Sequence, residues 1–248
     1  MPSYVIIGAS RGIGYQFLKT LSADSSNTVI GTARNVSATE SQLLKDGIKN
    51  VSIVSAEMDV AASMSAAAAV VAKITDSVDY LIINGGYISD HTAFISPTGY
   101  TTQEALFAEE FDKCMHTNTV GILYTVNAFL PLVKKSSVKK VTVISSGHAD
   151  LEAVLEAEIV DAVPYALSKA AVNILVAKYA MELRGEGITF LSLSPGFVMT
   201  RAEDALKPGF TGPISPAESV DKCLSVIDQV GIEQTGQFLS HHGDKEWL

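Results

Sequence analysis

Seven short runs of branched apolar residues recur along the chain, near residues 4–7, 28–33, 50–54, 78–86, 138–145, 187–194 and 236–240. Stretches with apolar residues at helical spacing separate them, near 38–45, 63–75, 107–135, 164–184 and 216–230, with another directly after the first run. Strands that alternate with helices pair in parallel, because each parallel pair needs a crossover of about a dozen residues or more. The expected fold class is therefore α/β: a doubly wound, seven-stranded parallel sheet with helices on both faces. No charged or Ser/Pro-rich linker divides the order, so residues 1–248 read as one domain.

The glycines after the first run say what such a sheet would carry. The chain reads G-A-S-R-G-I-G over residues 8–14 and then Y-Q-F-L-K-T-L, apolar at helical spacing. Between a strand and a helix, Gly8, Gly12 and Gly14 allow a tight turn. They let the backbone of Ser10, Arg11 and Ile13 approach a pyrophosphate at the helix N-terminus. A plain structural turn is the alternative. NAD-binding folds place a carboxylate on the ribose about 20 residues beyond the last glycine. Counting from Gly14 gives Ala33 and then Arg34, with no carboxylate there. Arg34, with Arg11 in the turn, is suited to a 2′-phosphate, which favours NADP(H) over NAD; two solvated arginines are the other reading. Asp59, just past the third strand, either meets the adenine amine or caps the next helix.

Further along, the fourth strand ends in Asn84-Gly85-Gly86, and glycine there permits a ligand to lie against backbone. Residues 87–102 are irregular and hold Pro97 and Gly99. Asn118 falls mid-helix beside Gly121, where asparagine competes for backbone bonds; a satisfied core amide is the simpler account. Tyr165 and Lys169, four apart on a helix, share a face. A free tyrosine titrates near pH 10, and an adjacent ammonium is expected to lower that value toward the working range. Ser146, at the end of V-T-V-I-S-S, is placed to donate to a carbonyl oxygen as charge builds on it. Pro195-Gly196 breaks the chain at the strand edge where ligands collect in such sheets. Residues 201–213, with Pro208, Gly209, Gly212 and Pro213, are expected to form a lid.

Charge narrows the partners. With 18 Lys and Arg against 27 Asp and Glu, the net charge of −9 argues against nucleic acid and anionic membrane. No apolar run reaches a membrane span. Cys114 and Cys223 lack metal-type spacing and read as buried free thiols in a reducing compartment. No metal is expected, and a cytoplasmic location is.

Taken together, these motifs resemble the short-chain dehydrogenase/reductase superfamily, built on a Rossmann fold. G-A-S-R-G-I-G, the N-G-G at 84–86, N-T-V-G at 118–121, the strand ending I-S-S, Y-A-L-S-K and S-P-G-F-V-M-T stand in the family's order over nearly the whole chain. T-A-R-N after the second strand, the long Ser146-to-Tyr165 interval and the T-G-Q-F-L-S tail resemble the fungal and Sniffer-like carbonyl reductases. The resemblance implies a catalytic set of Asn118, Ser146, Tyr165 and Lys169. Tyr165 would protonate the substrate oxygen that Ser146 holds. Lys169 would bind the nicotinamide ribose and open a proton relay through water at Asn118. Val198 and Thr200 match positions that hold the carboxamide. Ile83-Asn84-Gly85-Gly86 departs from the family's Asn-Asn-Ala-Gly. A second departure is the interval of 19 positions between Ser146 and Tyr165. Within its extra piece, about 147–163, Leu151, Val154, Leu155 and Ile159 recur at helical spacing, predicting an amphipathic helix over the substrate cleft.

His148, Tyr87, Phe94 and Met199 are candidate pocket walls. The implied activity is NADPH-dependent reduction of a ketone or aldehyde, or the reverse alcohol oxidation. A cofactor-retaining isomerase or cyclase and an NADP-sensing regulatory protein are the alternatives. Family members often pair through two long helices, so a homodimer or tetramer is expected.

Overall fold

The computed structural model describes residues 1–199 and 213–247. Its centre is a seven-stranded parallel sheet: β1 (Ser3–Ile7), β2 (Thr28–Ala33), β3 (Val51–Ser55), β4 (Tyr80–Ile83), β5 (Lys140–Ile144), β6 (Thr189–Leu193) and β7 (Phe238–Leu239). The strand order is β3-β2-β1-β4-β5-β6-β7, so the chain leaves β1 in one direction, returns, and continues from β4 in the other. That reversal opens a crevice between β1 and β4 at their carboxyl ends, where ligands bind in open α/β sheets.

Alternation along each strand feeds two cores, as a doubly covered sheet requires. Val5 and Ile7 of β1 face α3 (Ala61–Val71), α5 (Gly121–Lys135) and α7 (Val163–Leu183), with Phe129, Val172 and Phe190 fully buried among them. Tyr4 and Ile6 face α1 (Gly12–Ser22), α2 (Val36–Lys45) and α8 (Pro216–Gln229). The alanines of α3 lie on the first face, where Ala67 and Ala68 bring helix and sheet close. Both cysteines are buried and free. Among the described residues no helix is long and apolar enough to cross a membrane.

Two elements differ from the sequence expectation. The long helix is a run of α4 (Glu104–Met115), a π-helical turn (His116–Val120) and α5, with Asn118 buried in the turn. A π turn adds a residue to the ladder without ending the helix, and such turns cluster at functional sites. The inserted helix, α6 (Leu151–Glu156), is short and capped by Asp150, which accepts from the Ala153 N–H at 3.0 Å. Its Leu151 and Leu155 are 74% and 70% exposed, so the apolar spacing is not buried in the core. The proposed lid falls outside the described residues, apart from Pro213.

Candidate active site

The crevice between β1 and β4 is a cleft of about 800 Å³, floored by the glycine turn and walled by the ends of β2, β4 and α7. Gly8 sits at φ +77, where an L side chain is strained, and a Cβ there would lie 2.5 Å from the Gly85 Cα. A Cβ on Gly14 would collide with the Gly8 carbonyl and the Asn84 amide. That amide donates to the Gly8 carbonyl at 3.0 Å, and the Gly8 N–H donates to Thr32 Oγ1 at 3.0 Å. The turn is thus backbone packed on backbone, with its outer surface left to a ligand. Gly8, Ser10, Arg11, Gly12, Ile13, Asn84, Gly85 and Gly86 all line the cleft, whereas Gly14 lies beneath it.

Arg11 and Arg34 stand exposed at one end of the cleft, and neither pairs with a carboxylate among the described residues. Asp59 also lines it. Val60, not Asp59, is the N-cap of α3, and it has no side-chain cap bond, which removes capping as the use of this carboxylate. Its backbone carbonyl is held instead by His116 Nε2 at 3.0 Å.

At the other end stand Tyr165 and Lys169 on consecutive turns of α7, with the Lys169 Nζ 5.8 Å from the phenol ring centroid. Lys169 is buried and donates to the Ile144 carbonyl at 2.7 Å. Gly86 lies against it, since a Cβ on Gly86 would meet Asn118 Oδ1 at 3.3 Å and Lys169 Nζ at 3.5 Å. Burial pushes the Tyr165 phenol up to about 12, against the Ser146 hydroxyl, which pulls it down. The ring keeps part of its surface open, so water tempers the rise. Burial also brings Lys169 down to about 8. The expected lowering of Tyr165 by Lys169 is therefore corrected: desolvation of the pair outweighs an ammonium turned toward the Ile144 carbonyl.

The two serines at the end of β5 part company. Ser145 is buried and donates to Asn173 Oδ1 at 2.8 Å, while Ser146 begins the turn toward Tyr165 and accepts from the His148 N–H at 3.3 Å. The His148 ring meets Tyr165 edge-on at 6.4 Å. The Asn118 side chain uses both amide N–H groups and accepts one hydrogen bond at its oxygen. It accepts from the Tyr87 N–H at 2.6 Å and donates to the Tyr87 carbonyl at 2.8 Å and to Ser168 Oγ at 2.9 Å. It fixes the segment that follows Gly86. Tyr87 lines the cleft, with its hydroxyl donating to buried Glu110 at 2.8 Å.

Other expected residues lie farther out. Pro195 reaches the cleft, but Gly196 and Val198 are not among its lining residues. Val198 is buried in a bridge to Ile214, and Met199 is 49% exposed beside it. Thr200 lies outside the described residues. Phe94 is 78% exposed and is not brought to the cleft, because the irregular segment after Tyr87 carries it outward. No residue of the insert, 147–163, is among those lining this cleft. Sequence reasoning passed over Met58 and His116, which do line it. Gly121 was the available signal. A mid-helix glycine is costly unless something approaches closely, and a Cβ there would lie 2.9 Å from the Met58 carbonyl.

The sequence model described as short chain dehydrogenase matches residues 3–209. The short-chain dehydrogenase/reductase atnB of Arthrinium sp is 38% identical, with all of both chains covered. The short-chain dehydrogenase/reductase AacuF of Aspergillus aculeatus is 39% identical over the same full share. Among solved structures, the NADPH-bound carbonyl reductase from chicken fatty liver superposes with a TM-score of 0.85 at 29% identity, covering 98% of this chain and 93% of that one. The carbonyl reductase Sniffer of D. melanogaster matches with a TM-score of 0.82 at 22% identity, covering 98% of each chain, a likeness of fold.

Proposed function

The chain belongs to the short-chain dehydrogenase family, and from that premise we propose that it reduces a ketone or aldehyde with NADPH. One observation carries the reading: the Tyr165 phenol stands beside buried Lys169, its Nζ 5.8 Å from the ring, at the end of a cleft floored by backbone glycine. A protonated phenol is the form that can give a proton to a carbonyl oxygen.

NADP(H) fits the cleft. The glycine turn packs its backbone on the Asn84–Gly85 backbone and leaves its outer surface to a pyrophosphate, and two arginines with no carboxylate partner among the described residues line the end of the cleft that would take a 2′-phosphate. The NADPH-bound reductase at 29% identity supports the same choice. When bound, the cofactor supplies the hydride. The protein supplies position and protons. Tyr165 gives its proton to the substrate oxygen, and Ser146 donates a hydrogen bond to that oxygen as its charge grows. Lys169, charged below about pH 8, returns a proton toward the phenol from the buried side. Asn118 holds the Gly86–Tyr87 backbone through both N–H groups and the oxygen of its side-chain amide. Tyr87 walls the cleft, His148 packs edge-on against Tyr165 behind the reacting phenol, and Pro195 borders the cofactor end. We assign the exposed face of α7 to pairing with a second copy of the chain.

The test is loss of NADPH absorbance against a panel of aryl ketones, quinones and aldehydes. Tyr165→Phe should abolish turnover and leave NADPH binding intact. A wild-type protein that binds NADPH and turns over none of the panel would move the reading to the non-redox or sensing alternatives.

A further inference from the structure

The C-terminal tail makes contacts that catalysis by residues 118–169 does not require. Ser240 locks it. Its N–H donates to the Asp244 carbonyl at 2.7 Å, and its hydroxyl donates to the Asp244 carboxylate at 2.7 Å. The same carboxylate accepts from the Glu246 N–H at 2.9 Å, and Gly243 turns the chain at φ +86. The tail is thereby folded back so that Trp247 stacks on Phe238 of β7 at 4.4 Å.

Two glycines beside the reaction then rest on this tail. A Cβ on Gly147, the residue after Ser146, would lie 3.7 Å from the Trp247 Cβ. A Cβ on Gly196 would lie 2.9 Å from the His241 ring, which is closer than real Cβ contacts. Both aromatic residues are buried. His241 Nδ1 and Trp247 Nε1 have no hydrogen-bond partner among the described residues. A tail kept for stability alone gains nothing from burying unpaired polar atoms, each of which costs free energy. His241 sets a flat ring against the Pro195–Gly196 turn, whereas the Trp247 ring anchors on Phe238 and thereby holds its own Cβ in ordinary contact with the Gly147 turn.

We propose that residues 240–247 position the reaction, Trp247 setting the turn that carries Ser146 and His148, and His241 setting the Pro195–Gly196 turn at the cofactor. The two are positioning residues; neither touches a reacting atom. The proposal rests on the reductase reading, so its test also includes measurements that need no turnover.

Trp247→Ala, Trp247→Phe and His241→Ala are compared with wild type for kcat, carbonyl KM, NADPH Kd and amide exchange at residues 147–149. Misplacing a catalytic group by about 1 Å costs up to roughly 100-fold. On that scale Trp247→Ala should lower kcat about tenfold, leave NADPH Kd within about twofold and speed exchange at 147–149. His241→Ala should do the converse, raising NADPH Kd about tenfold with exchange at 147–149 unchanged. Trp247→Phe keeps a ring and removes the unpaired N–H, so it should restore wild-type values. Unchanged exchange and unchanged kcat in a folded Trp247→Ala overturn the proposal. So does a parallel loss of all four quantities in both alanine variants, the pattern of general destabilisation. Should Trp247→Ala fail to fold, Trp247→Leu reads the same quantities. If wild type turns over no substrate, the reductase reading fails, while exchange and NADPH affinity still decide the role of the tail.

Discussion

Burial sets the charge of the two groups on α7, and so the pH range in which a reduction can run. Lys169 has its pKa lowered to about 8, so it is cationic below that value and neutral above it. Tyr165, raised to about 12, holds its proton throughout. The expected profile of kcat/KM for carbonyl reduction is flat at neutral pH and falls as pH rises through about 8, the limb belonging to Lys169. Measuring that profile with stopped-flow NADPH oxidation checks it; a flat profile to pH 10 contradicts it. Arg34 gives a second expectation. Arg34→Ala should weaken NADPH by about tenfold or more and leave NADH nearly unchanged, since a charge-assisted contact contributes roughly 1.5–3 kcal/mol. Equal losses for both cofactors would remove the 2′-phosphate assignment. At this scale much was legible in the sequence, because spacing alone puts Tyr165 and Lys169 on one helix face and Arg34 at the end of β2. The protonation of Tyr165 was not, because desolvation depends on what packs around α7 and not on the residues four positions apart. Ser146 could be separated from Ser145 only by alternation along β5, which turns one hydroxyl into the core toward Asn173 and the next toward Tyr165.

Asn118, buried behind the cleft, ties together the elements that carry these residues. Its three bonds join the π-helical turn to α7 through Ser168 and to the segment after β4 through both backbone groups of Tyr87. Asn118→Leu preserves volume and strands the part-buried Tyr87 N–H, leaving the Tyr87 C=O only the Cys114 thiol, at up to about 1–3 kcal/mol for each unsatisfied group. The expected loss is roughly 2–4 kcal/mol in urea unfolding, with faster amide exchange at Tyr87 than anywhere in β4. A loss below about 0.5 kcal/mol would mean that the segment is fixed by other contacts. The helical run itself could be read from its apolar spacing, but the π turn could not. One extra residue in the ladder leaves the pattern on either side nearly intact, and only the Asn118–Gly121 pair hints at it. The insert shows the opposite limit. Helical spacing predicted α6, yet it did not predict that Leu151 and Leu155 would face outward, since amphipathic spacing does not say which surface the apolar side meets.

For the molecule as a whole, a parallel sheet covered on both faces follows from the alternation of strand and helix, which the sequence shows plainly; the strand order and the assembly do not. The outer face of α7 carries Leu167, Ile174 and Met181, exposed at 46%, 65% and 58% and spaced by seven residues. A repeat of seven keeps a stripe on one side of a helix, and the 21 residues of α7 span about 30 Å. The opposite side of the same helix holds Lys169, Val172 and Val176 in the interior, so the stripe is not surplus core. Two-fold pairing of identical stripes would bury both copies at once, and closed two-fold symmetry is the common arrangement for such self-complementary faces. It would also brace α7 from outside, behind the helix that presents Tyr165. Ile174→Glu places a charge at the middle of the stripe and should convert a dimer to a monomer in light scattering at micromolar concentration. The monomer's far-ultraviolet spectrum should be unchanged, since residue 174 lies outside the core. Activity should fall less than severalfold, because every group assigned to the reaction lies in one chain. A wild-type protein that is monomeric at the same concentration, or an Ile174→Glu variant that stays paired, would place the contact elsewhere or remove it.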